Sequence, residues 1–345
     1  MRKLSLMLVL ALVLGVFALP VFAQEEPTQT IAEIVVAATE GDEPQFTVLL
    51  AAVGAADPAF LETLSDPEAR VTVFAPTDEA FTAAFEALDL SAEDVLANTD
   101  LLNAVLSYHV VPSAWTAESL LAITAEDATP IIGTFLPEQA LVLSQDMDSL
   151  MVNDSTVVAA DVAATNGIVH VIDSVLLPNL EAMAMMADME MEEPTLSIAE
   201  LVVASTEAET PEFTTLLAAV AAADPLVLEE LTNGGPYTVF APTDEAFAAA
   251  LEALGVTAED VLADQSLLTS ILAYHVIPGT FSAATVVAAA GEEGFTTATL
   301  LGGTTLSIMV DGESVMVNDA TVIAADIYAT NGVIHVIDSV LLPPM

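Results

Sequence analysis

Val71-Thr-Val-Phe-Ala-Pro-Thr-Asp-Glu-Ala-Phe81 recurs as Tyr237-Thr-Val-Phe-Ala-Pro-Thr-Asp-Glu-Ala-Phe247, with ten of eleven residues identical. Working outward, Leu101-Leu-Asn-Ala-Val-Leu-Ser-Tyr-His-Val-Val-Pro112 returns as Leu267-Leu-Thr-Ser-Ile-Leu-Ala-Tyr-His-Val-Ile-Pro278. Ala164-Thr-Asn-Gly-Ile-Val-His-Val-Ile-Asp-Ser-Val-Leu-Leu-Pro178 returns as Ala329-Thr-Asn-Gly-Val-Ile-His-Val-Ile-Asp-Ser-Val-Leu-Leu-Pro343. The offset is 167 residues at Thr30 and Ser197, 166 in the first two blocks and 165 in the third, so single-residue gaps separate the copies. A period this long means two whole domains, not a solenoid whose short repeats share one core. Residues 28–179 form the first copy, 180–194 a linker and 195–343 the second.

Local signals place helices first and strands last in each copy. Thr30-Ile-Ala-Glu33 and Ser197-Ile-Ala-Glu200 have the spacing of a capping box, in which a hydroxyl and a carboxylate satisfy each other's backbone N–H. Phe46 to Val53 and Phe213 to Val220 continue with helical apolar spacing. Val71 to Phe74 is a short apolar strand stopped by Pro76, and Thr77 follows as a helix cap with two acids in the first turn. Ser91 and Thr257 repeat the capping pattern, and Leu101 to Leu106 is a helix ending at Tyr108-His109. After Pro112 the texture is strand-like. Two β-branched runs around Thr165-Asn166-Gly167 then form a hairpin signal. The fold class is α+β, in two tandem copies.

The first residues predict export. Arg2 and Lys3 precede an acid-free apolar run from Leu4 to Leu19, and Val21-Phe22-Ala23 supplies the small residues a signal peptidase needs. Residues 1–23 are therefore read as a signal peptide, with Gln24 the first mature residue. The run is short for a spanning helix, and no cysteine is present for a lipid anchor. The expected location is secreted, extracellular or cell-surface, with the periplasm as a further compartment. No membrane insertion is expected after cleavage.

Loss of Arg2 and Lys3 would leave 51 acidic side chains against Arg70 alone. Nucleic acid is then excluded as a partner, because nothing neutralises phosphates. Two readings of the acidity stay open: adaptation to a saline habitat, where salt screens the self-repulsion, and weak, diffuse binding of divalent cations. Val152-Asn-Asp154 and Val317-Asn-Asp319 offer oxygen ligands, but no calcium loop with a distal glutamate occurs. Without cysteine there is no thiolate zinc or iron–sulfur site. The five methionines between Glu181 and Pro194 read as an acidic linker in preference to a copper(I) thioether cluster. No cofactor and no dedicated metal site are expected.

Catalysis finds little support. No nucleophile elbow, zinc-protease helix or phosphate-binding glycine loop is present. Each copy carries two histidines, His109 with His170 and His275 with His335. Their apolar surroundings read as rings that fix a helix end against the hairpin, and so as candidates for a pH-sensitive packing element. Trp115 reads as local packing.

The three repeated blocks resemble fasciclin (FAS1) domains. Thr-Val-Phe-Ala-Pro-Thr-Asp-Glu-Ala-Phe is similar to the family's first signature block, and the Asn-Gly stretch through Val-Leu-Leu-Pro to its second. Tyr-His-Val-Val/Ile-Pro looks like its tyrosine–histidine motif. The resemblance implies several helices packed on a wedge of two mainly antiparallel sheets. It further implies a non-catalytic role in adhesion to a cell-surface, envelope or extracellular matrix component. A small-molecule- or divalent-cation-binding secreted protein is the alternative. In animal members the tyrosine–histidine motif and an Asp-Ile dipeptide are implicated in integrin binding. Carried over, these are Tyr108, His109, Asp161 and Val162 in the first copy, with Val162 in place of isoleucine. In the second they are Tyr274, His275, Asp326 and Ile327.

Overall fold

The computed structural model describes residues 27–40, 44–89, 91–124, 129–147, 149–179, 194–208, 211–291, 293–312 and 314–344. The signal segment and all of the linker except Pro194 lie outside the described residues. The first copy runs α1 (Ile31–Thr39), α2 (Thr47–Ala55), α3 (Pro58–Ser65), β1 (Val71–Pro76), α4 (Asp78–Leu88), α5 (Ala92–Ala97) and α6 (Thr99–Tyr108). It continues with β2 (Val110–Val111), α7 (Ala117–Ile123), β3 (Ile131–Gly133), β4 (Ala140–Asp146), β5 (Ser149–Val152), β6 (Ser155–Ala164) and β7 (Gly167–Ile172). The second copy repeats this order, its strands being β8 (Tyr237–Pro242), β9 (Val276–Pro278), β10 (Phe295–Ala298), β11 (Thr305–Asp311), β12 (Ser314–Val317), β13 (Ala320–Ala329) and β14 (Gly332–Ile337).

The caps form as their spacing predicts. Thr30 and Glu33 close a reciprocal box, as do Ser197 and Glu200. Thr77 accepts from the Ala80 N–H. The next residue reaches further, for the Asp78 carboxylate accepts from the backbone N–H groups of Thr47 and Val48 at 3.1 and 2.9 Å. That caps α2, which starts from Phe46 in a left-handed conformation and has no side-chain cap of its own.

Three features depart from the sequence reading. The strand-like stretch after Pro112 contains helix α7, started by the Thr116 hydroxyl. Helix α3 follows Asp57, whose carboxylate caps it ahead of Pro58. The sheet that closes the domain is also not purely antiparallel, because β7 pairs antiparallel with β6 and parallel with β1. The repeated blocks around Val71 and Gly167 thus lie side by side.

Each copy buries two clusters. One lies between the helices and the β1–β7 pair, around Ile31, Leu49, Val73 and Leu102. The other fills the sheet wedge around Phe74, Trp115, Leu141 and Ile172. The wedge clusters are not confined to their own copy. Ala298 packs into the first, and Ala140 packs against the second.

The strands form one fourteen-membered ladder in which β3 pairs parallel with β10. Glu138 secures this joint. Its N–H donates to the Thr280 carbonyl at 2.9 Å, and its carboxylate accepts from the N–H and hydroxyl of Ser282. Gly133 makes the approach possible, since a Cβ there would sit 2.0 Å from the Pro278 carbonyl oxygen. Gly133→Val is therefore expected to separate the domains while leaving each folded. Small-angle scattering should report a larger radius of gyration, and unfolding should change from one transition to two. An unchanged scattering curve would show that the joint is not held at this contact.

Candidate functional site

The tyrosine–histidine motif sits at the C-terminus of α6 and of helix Gln265–Tyr274, where the chain turns directly into a strand. That turn sends both side chains inward. Tyr108 is buried, donates its hydroxyl to the Ala140 carbonyl at 2.9 Å and accepts from Asn153 Nδ2 at 3.1 Å. Tyr274 repeats this with the Thr305 carbonyl and Asn318 Nδ2. Burial raises the Tyr108 hydroxyl above its ordinary range, against the Asn153 hydrogen bond. Asn153 and Asn318 are thereby spent, their Oδ1 atoms accepting from the N–H groups of Val142 and Ser307.

His109 is a clamp. Its Nδ1 lies 2.7 Å from the Val105 carbonyl, and its Nε2 accepts from the Leu176 N–H at 2.9 Å. A backbone N–H can only donate, so the ring proton sits on Nδ1. The ring is neutral and ties the end of α6 to the C-terminal strap of the domain. His275 does the same between Ile271 and Leu341. Burial lowers both rings from 6.5 to about 4, the carbonyl contact offsetting only part of that. A second proton would also have to displace the strap's N–H from Nε2.

His170 and His335 form a second clamp. Nε2 of His170 donates to the Trp115 carbonyl at 2.9 Å, and Nδ1 accepts from the Asp161 N–H at 3.2 Å. In the second copy Phe281 stands in place of Trp115, and the His335 bonds go to its carbonyl and to the Asp326 N–H. A carbonyl is all the histidine needs, which explains why the tryptophan is not repeated. Burial lowers both rings, partly offset by the carbonyl contact and the nearby aspartate. All four imidazoles thus direct both nitrogens to backbone atoms. No group of three or more metal-ligating acids and histidines occurs among the described residues.

Asp161 and Asp326 are held outward. Each lies at a bulge of β6 or β13 in a left-handed conformation, with φ of 57° and 60°. Their carboxylates accept from the N–H groups of Ala117 and Ala283, at the start of α7 and of helix Ala283–Ala290, at 2.8 and 2.7 Å. Both aspartates and Ile327 are exposed, and Val162 is half-buried. Val158 and Ile323, at matching positions on the same strands, are each 56% exposed. The structure therefore divides the motif residues into two groups. Tyr108, His109, Tyr274 and His275 are interior. Asp161, Asp326 and Ile327 are exposed on β6 and β13, as are Val158 and Ile323, whereas Val162 packs against the helix-side core. The two groups share no hydrogen bond.

A family model described as the fasciclin domain matches residues 44–178 and 211–343. The chain belongs to the fasciclin family. Among its relatives is protein sll1483 of Synechocystis sp., 43% identical over 166 residues, which are 46% of this chain and 87% of that one. The transforming growth factor-beta-induced protein ig-h3 of Sus scrofa is 30% identical over 275 residues, 79% of this chain. The match spans only 34% of ig-h3. A solved FAS1 domain pair from the insect cell adhesion molecule fasciclin I is 21% identical, over 84% of this chain and 94% of that one, with a TM-score of 0.36. Among the described residues no helix is long and apolar enough to cross a membrane.

Proposed function

We propose that this fasciclin protein is a non-catalytic, extracellular binding protein that attaches to a cell-surface, envelope or matrix component through the outer bulged faces of β6 and β13. The observation that carries this reading is the repetition of exposed aliphatic and acidic residues on the same bulged strand in both domains: Val158 and Asp161 on β6, then Ile323, Asp326 and Ile327 on β13. Large exposed aliphatic side chains on a rigid strand are the material of recognition surfaces. The aspartates are preorganised by their helix-cap bonds, which lowers the entropy cost of binding. Adhesion is the role that family membership lends. The β3–β10 joint holds the two faces at a fixed spacing, so a repetitive target would be bound with avidity.

The test is capture from envelope material of the source organism. Replacing Val158, Ile323 and Ile327 with serine is expected to reduce capture at least about tenfold while changing stability little, since exposed substitutions typically stay within about 0.5 kcal/mol each. Equal capture by the substituted chain and the wild type would refute the assignment of this face.

A further inference from the structure

The two domains differ at two aromatic positions of the core between helices and sheet. In the first domain Phe60 and Phe135 pack against that core. Val227 and Leu300 hold the same places in the second. The backbone bonds establish the equivalence. Phe60 and Val227 each donate to the carbonyl of the aspartate cap three residues earlier, at 2.9 Å. Phe135 and Leu300 each donate to the carbonyl of the valine that follows the motif histidine, at 2.8 Å. Two aromatic rings are thus replaced by aliphatic groups, and the second domain contains a cavity of about 420 Å³. Val227 and Leu300 both line it. A concave apolar space of several hundred cubic ångströms falls within the range of small-molecule sites.

A polar end accompanies the lost rings. Where the first domain has Thr63 and Val71, the second has Glu230 and Tyr237, and both line the cavity. The Tyr237 hydroxyl donates to Glu230 Oε2 at 2.7 Å. Arg70 of the first domain stands 3.9 Å from the other carboxylate oxygen. Arg70, Leu226, Glu230 and Tyr237 also line a cleft of about 800 Å³ between the domains, so the cavity opens into that cleft. Leu226 and Leu228, at its rim, are 47% and 44% exposed.

We infer that the second domain binds a neutral, apolar small molecule carrying one hydrogen-bond donor, its body between Val227 and Leu300 and its hydroxyl or amine group on the Glu230 carboxylate. Glu230 is the acceptor because Tyr237 and Arg70 leave part of the carboxylate accessible at the mouth, its side chain being 30% exposed. An anionic ligand would be repelled by a chain with a formal charge of −48. Arg70 couples the site to the first domain, since it closes the mouth from across the cleft.

The probe is N-phenyl-1-naphthylamine, a neutral fluorophore with one N–H donor, titrated into the full chain. The expected result is saturable binding of one molecule per chain with fluorescence enhancement. Val227→Phe with Leu300→Phe restores the rings of the first domain. That variant should bind at least tenfold more weakly, with an unchanged or higher melting temperature. Glu230→Gln should weaken this probe several-fold and leave 1-phenylnaphthalene, which has no donor, unaffected. Hydrogen exchange on the wild-type chain locates the site without any substitution, through added protection of helix Pro225–Asn233 when the probe is present. The inference is overturned by absence of saturable binding, by equal affinity in the folded ring-restored variant, or by protection confined to other elements.

Discussion

Gly332→Ala is expected to cost more than about 4 kcal/mol of stability, in the range reserved for substitutions with a specific steric or packing cause. Gly332 adopts φ of 152°, a conformation that side-chain-bearing residues rarely take. An added Cβ would lie 2.0 Å from the Tyr237 carbonyl oxygen and 2.9 Å from its carbon. Those are backbone atoms of β8, the parallel partner of β14, and Gly332 stands opposite Tyr237 in that register. Nothing there can rotate away, so relief requires parting the two strands. Gly167→Ala should behave alike, because its Cβ would lie 2.0 Å from the Val71 carbonyl oxygen. Gly255→Ala is the control. Gly255 also has positive φ, at 67°, but an added Cβ meets nothing within 4 Å, so only backbone strain of about 1 kcal/mol is expected. Chemical denaturation of the three variants distinguishes clash from strain. Equal losses at Gly332 and Gly255 would contradict the close approach of β8 and β14.

Acidification from pH 7 to pH 4 is expected to remove about 3 kcal/mol from each domain through His109 and His275 alone, at 1.36 kcal/mol per unit of pKa shift. Both rings are lowered from 6.5 to about 4 in the folded chain. As pH falls, the unfolded chain therefore takes up these protons first. The stabilising contribution is complete above about 6.5 and is lost between 6.5 and about 4. His170 and His335 act in the same direction. Protonation of the many carboxylates relieves self-repulsion over part of this window, so the measurement belongs in about 1 M salt, where charges are screened within about 3 Å. Unfolding in urea at several pH values should show the loss. Ring signals in nuclear magnetic resonance should show His109 and His275 still neutral at pH 5. Titration of these rings near 6.5 would remove the clamp as an explanation of acid sensitivity.

The histidines show how far a linear reading reaches. Their apolar neighbours identified them as packed rings, but their partners lie far along the chain. His109 meets Leu176, and His170 meets Trp115. The Tyr-His pairs are buried, whereas Asp161, Asp326 and Ile327 of the other motif are exposed. Which of them meets solvent depends on where α6 ends and β6 bulges. The outward positions of Val158 and Ile323 carry no sequence signal beyond ordinary strand alternation. The cavity of the second domain was partly legible, because its four differing positions can be read by aligning the copies. Their convergence on one space appears only when helix Pro225–Asn233, β8 and the stretch after β10 are folded over the same core.

Features encoded over a few residues or by repetition were legible in the chain: the duplication, the capped helices, the Asn-Gly hairpin and the family. Caps and turns close hydrogen bonds within about four residues, so their energy is decided locally. Tertiary structure alone decided the parallel β1–β7 and β8–β14 pairs, the β3–β10 joint, the histidine tautomers and the cavity. Each depends on groups brought together from distant parts of the chain, whose contact is stabilised only once the intervening segments have packed.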